Sequence, residues 1–139
     1  MKLKDKDKGL RWLSRRIGRL GAVVGVTDPD CLEIGKIHEF GAPAANIPQR
    51  SFLRGPIDAA SEHLYTIARN IAYQHWFGKV SAEKCVEVIG SAMQKVVVDA
   101  INAHIDPPNK PATVARKGSD VPLVETGQLR DSIGHEPLD

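Results

Sequence analysis

Aromatic residues are scarce in this chain: Phe, Trp and Tyr together make up 5% of its 139 residues. A core must therefore be filled mostly by Val, Ile, Leu and Ala, and no aromatic platform for stacking bases is on offer. Cysteine is scarcer still. Cys31 and Cys85 stand far apart with no CxxC pair, which argues against a zinc cluster or a disulfide scaffold and leaves two reduced, buried thiols as the expectation. No apolar run approaches the ~20 residues that span a bilayer, so no membrane partner is expected. The opening MKLKDKDKGL lacks the apolar stretch of a secretory signal, which makes the cytosol the expected place of synthesis and assembly.

What is present suits one small globular domain. Hydrophobic residues reach 42%, and a chain of this length buries roughly two-thirds of its unfolded surface. The formal net charge of +2 hides an asymmetry. Residues 1–19 carry eight Lys or Arg against Asp5 and Asp7, a local balance of +6, so the remainder of the chain sums to −4. An end-loaded positive charge points to nucleic acid or an acidic partner, or else to a solvated tail.

Hydrophobic spacing divides the chain. Leu10, Leu13, Ile17 and Leu20 recur at helical intervals, with Arg11, Arg15, Arg16 and Arg19 on the other faces. These four arginines are the candidate contacts to DNA, without base specificity, or to an acidic neighbour. Ala22 to Thr27 is short and rich in β-branched residues, as in a buried strand. Cys31 to Phe40 reads as either strand or helix; Asp28 and Pro29 as a start and Gly41 as a stop favour a short helix. Residues 42–55 contain Pro43 and Pro48 and have no period, so an extended loop is expected. A long helix is expected from Pro56 to about Trp76, with Ile57, Ala60, Leu64, Ile67 and Ile71 forming its stripe. Ser81 caps a second, whose inner face is lined by Val86, Ile89, Met93, Val96 or Val97, Ala100, Ile101 and Ile105, and which Asp106 to Pro108 stop. Residues 109–124 look like a surface arm. Thr126 is placed to cap a single turn through Leu129 and Arg130, and Ser132 to Glu136 to form a last strand.

The expected fold is α+β: a small antiparallel or mixed sheet packed against two long antiparallel helices, with extended loops and arms. Its organisation would be a basic N-terminal segment, 1–20, followed by one domain, 21–139. That domain would carry an interface loop at 41–55 and a Pro-rich arm at 106–125.

Catalytic patterns fail one by one. His38-Glu39 lacks the second His one turn later that a zinc-protease helix needs, because position 42 is Ala. Glu125-Thr126-Gly127 resembles the Asp-Thr-Gly of aspartic proteases, but those sites need two facing Asp loops. Arg116 to Asp120 is too short for a phosphate-binding loop, and no GxSxG elbow presents a serine. We therefore expect no enzyme, no cofactor and no metal.

Two segments carry a resemblance. IHEFGAPAANIPQRSFLR, residues 37–54, is similar to the "hEfG … iPaRpFlR" segment of the phage virion-morphogenesis family, the tail-completion and head–tail joining proteins of tailed phages and prophages. KGSDVPLVETGQLRDSI, residues 117–133, resembles the same family's C-terminal "kPLidTGqLrnSI". Ser51 stands where that pattern often has Pro, which should loosen the loop, and Glu125 where it often has Asp. The resemblance implies a structural protein of the virion neck, made in the host cytoplasm and retained in the mature particle. It also implies a homo-oligomeric ring, such as a hexamer or dodecamer. Such a ring would adjoin the portal or connector and the tail tube or terminator, with DNA in its channel. Which neck station it occupies is left open.

For such a ring, irregular segments are natural interface material, since they order when a neighbour supplies contacts. Phe52 and Leu53 are the expected apolar anchors, Phe52 in a pocket on its own helices or on the adjacent subunit, and Arg50 and Arg54 the forks for carboxylates. His38 and Glu39, with Phe40 beside them, would orient the loop. The second segment adds Lys117, Leu123, Thr126, Leu129 and Arg130 to the candidate interface.

Overall fold

The computed structural model describes residues 20–103, 105–118 and 127–138, apart from the side chain of Lys117. Within them the chain runs β1 (Ala22–Val26), α1 (Pro29–Phe40), a 3-10 turn (Pro43–Ala45), α2 (Arg54–Ala59), α3 (Ser61–Trp76), α4 (Ala82–Asn102), α5 (Pro111–Lys117), α6 (Gln128–Asp131) and β2 (Ile133–Pro137). This is the expected α+β class. The basic N-terminal segment lies outside the described residues.

Capping explains both ends of α1 and the start of α4. Asp28 accepts the N–H of Asp30 at 3.0 Å, and Pro29 fills the first turn of α1, where a missing N–H costs nothing. Gly41 ends α1 at φ 75°, and a Cβ there would meet the Gln49 backbone nitrogen at 2.9 Å. The segment is thus a helix. Ser81 caps α4 by accepting the Lys84 N–H at 3.1 Å.

The two long helices, α3 and α4, form a hairpin through the turn around Gly78 (φ 70°). The sheet packs on another side of α4. Its two strands come from opposite ends of the described chain and pair antiparallel, Ala22 with Pro137 and Val26 with Ile133. Thr27 extends the seam by donating both its N–H and its hydroxyl to the Ser132 carbonyl, at 2.8 and 2.9 Å. Cys31, Phe52, Val97, Ile101, Leu129 and Ile133 form the buried core, with Ile57 and Ile105 against its edge. Both thiols are free and buried.

Several boundaries differ from the sequence reading. The expected helix from Pro56 begins at Arg54 and is broken at Ala60 (ψ 7°), which lets α2 turn Ile57 toward the core while α3 follows α4. α4 stops at Asn102, yet Ile105 still reaches the core from beyond its end. The expected loop 42–55 contains a 3-10 turn closed by the Ala42–Ile47 bridge. The expected arm 109–124 contains α5, opened by Pro111 and closed by Gly118 in the left-handed region. α6 follows Gly127 (φ 78°) with no side-chain cap; Thr126, the residue expected to supply one, lies outside the described residues.

Candidate interaction site

Glu39 sits at the end of α1, only 7% exposed. Its Oε2 accepts the N–H groups of Phe52 and Leu53 at 2.9 and 3.0 Å. Its Oε1 accepts the Ser51 hydroxyl at 2.8 Å and the Arg54 N–H at 3.2 Å. The first backbone donors of any helix lack intrahelical partners, and a negative charge there is favourable. Glu39 supplies that charge to α2 from another element. Ser51 completes the arrangement, its oxygen accepting the Gly55 N–H at 2.9 Å. The residue expected to loosen the loop therefore ties it down, through a hydroxyl that proline lacks.

The remaining candidates fall on either side of this brace. The His38 carbonyl accepts the Arg50 N–H at 2.7 Å, and Gln49 Nε2 donates to the Glu39 carbonyl at 3.0 Å, so the end of α1 is tied to residues 49 and 50. Phe52 is fully buried within its own chain. Arg50, expected to pair with a carboxylate, is instead buried and donates to the carbonyls of Pro107 and Pro108 at 2.8 and 3.3 Å. Leu53 is half-buried against the core, and Leu129 is buried in it. On the outside stand Phe40, 73% exposed, and Arg54, which pairs with Asp58 at 3.3 Å. Arg130 lies along the surface against Asp131 at 2.8 Å. The side chain of Lys117, together with Leu123, Thr126, Arg11, Arg15, Arg16 and Arg19, lies outside the described residues.

The sequence reading missed a row of aromatics. Tyr65, Tyr73, Trp76 and Phe77 project from one side of α3 and its C-terminal turn, each more than half exposed. They lie opposite Leu64, Ile67, Ile71 and the buried His75, which face inward. The Tyr73 and Phe77 rings meet at 4.6 Å between centroids. The signal was present in the spacing: Tyr65, Arg69, Tyr73 and Phe77 recur every four residues. Attention to the apolar stripe concealed it. Of the six aromatics among the described residues, Phe52 alone is buried.

His135 makes a second polar contact network, on the sheet. Gln94 donates its amide N–H to the Ile133 carbonyl at 2.8 Å, which turns Gln94 Oε1 toward His135 Nδ1 at 2.6 Å. The ring's Nε2 faces Glu87 Oε2 at 3.3 Å. Glu87 is held below its ordinary value of 4.5, first by the hydrogen bond to His135 and then by Ser91. This network fastens β2 to α4.

Among the described residues no group of three or more His, Cys, Asp or Glu side chains is arranged to hold a metal ion. Among the same residues no helix is long and apolar enough to cross a membrane. Comparison with family models, with curated proteins and with solved structures finds no match to this chain.

Proposed function

We propose that this chain is a structural assembly protein of a tailed phage or prophage, a ring-forming neck component that completes the tail or joins head to tail. The exposed aromatic row on α3 is the observation that carries this reading. Large apolar side chains gathered on one face mark an association surface, and Tyr and Trp are favoured at the centres of such surfaces. Here the row includes four of the six described aromatics, although burying them would strengthen a small core. The two segments that resemble the virion-morphogenesis family support the same reading. So does the Glu39 brace, which gives the intervening loop a fixed shape before any partner arrives.

A ring requires each copy to present two different patches to its neighbours. The α3 row would serve as one of them. Native mass spectrometry of the purified protein, together with immunodetection in purified particles, tests the proposal. The expected result is a closed oligomer that falls apart in Tyr73→Glu and Trp76→Ser variants, with the far-ultraviolet circular dichroism unchanged. A strictly monomeric wild-type chain that is missing from finished particles would overturn it.

A further inference from the structure

A second surface, away from the aromatic row, is built to receive something acidic. A groove of about 1070 Å³ runs between residues 38–50 on one side and residues 107–116 on the other. Arg50, Lys110 and Arg116 line it, with His38 at the same wall, and among the described residues no Asp or Glu does. This cationic lining stands out in a chain whose residues beyond 19 sum to −4.

Arg50 is the informative group. It is 7% exposed, and its Nε and Nη2 donate to the carbonyls of Pro107 and Pro108. No carboxylate of the described residues pairs with it, and burial pushes its guanidinium below the ordinary value. Buried charges ordinarily acquire a counter-charge, because desolvation otherwise disfavours the ionised form. Nη1 makes no hydrogen bond within the described residues, so a donor remains for an incoming anion. Lys110 and Arg116 stand exposed at the rim, where they can attract the same partner.

The walls identify the kind of anion. Pro43, Pro48, Pro107 and Pro108 supply rigid, apolar surface with fixed backbone, and Ile47 and the exposed Phe40 extend it. Acidic peptide motifs are recognised by clusters of cationic side chains, and an apolar wall beside the cluster gives an extended segment further contact. A duplex would instead call for a broad cationic face, and a single strand for a succession of stacking rings.

We propose that this groove is a docking site for an extended acidic peptide segment of a partner protein, with a carboxylate of that segment meeting Arg50. The site is independent of the α3 row and does not require ring formation.

The test is fluorescence anisotropy with a labelled peptide of alternating Glu and Pro as the probe. The full chain should bind it and release it as salt is raised, while a matched Lys-Pro peptide stays unbound. Lys110→Glu combined with Arg116→Glu changes only exposed side chains and should weaken the Glu-Pro peptide at least tenfold with an unchanged melting temperature. Arg50→Lys, compared at matched folded fraction, should weaken it as well. Absence of Glu-Pro binding, equal binding by the rim variant, or tighter binding of an oligonucleotide that displaces the peptide would each overturn the proposal.

Discussion

The carboxylate of Glu39 lies 2.9 Å from the backbone nitrogen of Phe52, and that single contact joins the end of one helix to the centre of the core. Three further donors converge on the same carboxylate. Phe52 can be fully buried because the backbone N–H groups around it are satisfied on the spot. A buried donor without a partner costs about 1–3 kcal/mol.

Glu39→Gln should therefore be destabilising. An amide offers one acceptor oxygen and turns its NH₂ toward donors that have nothing to accept with. We expect a loss of about 2–3 kcal/mol in urea unfolding, from one or two unmet donors. A Glu39→Gln protein as stable as wild type would show that the brace contributes geometry alone.

Phe52→Ala removes the largest fully buried side chain among the described residues, in contact with a core that contains no other aromatic ring among them. Truncations of this kind cost about 3–5 kcal/mol. The loss should be visible in the isolated chain at any concentration, because Phe52 packs within its own chain. A variant that folds normally when alone but fails to assemble would move Phe52 to a subunit interface.

Gly90→Ala has two opposing effects. In an exposed helix interior it would stabilise by about 1 kcal/mol. In α4, however, a Cβ on Gly90 would overlap Cδ2 of His135, so the ring must leave its place. Its bonds to Gln94 and Glu87 then go with it. Overpacking of this sort costs about 1–3 kcal/mol, so the net change should be a lower melting temperature. Pairing the substitution with His135→Ala should recover part of the loss, which thermal melts of both variants would measure.

The pH response follows from Glu87. Its folded value lies below the ordinary 4.5, so in the unfolded chain the group takes up protons at a higher pH than in the folded one. Its contribution to stability is thus complete above the unfolded value and disappears as the pH falls through the folded one. Melting curves of wild type and Glu87→Gln should differ most above about pH 5 and converge below 4.5. A gap that widened on acidification would contradict the assignment.

Much of the local framework was legible in the residues. The helix from Pro29 to Phe40 is bounded by Asp28, Pro29 and Gly41, all of which act within three or four positions of the chain. Ser81 and the apolar spacing of α4 are equally local, as is the β-branched run of β1. The candidate site was legible only in part. HEF and PQRSFLR drew attention as a docking loop oriented by His38 and Glu39, and the residues left open whether Phe52 packs on its own helices or on a neighbour; Glu39, Arg50 and Phe52 face their own fold.

By itself the sequence determined the α+β class and where α1 and α4 start, because caps and hydrophobic periods act over a turn or two. Tertiary structure decided which donors Glu39 would satisfy, why position 90 needs glycine, and where the aromatics of α3 would be left. It also brought β1 and β2 together, with Thr27 and Ser132 joined across 105 positions of chain. Those outcomes depend on contacts between elements distant in sequence, and nothing in a local window specifies which distant group will arrive.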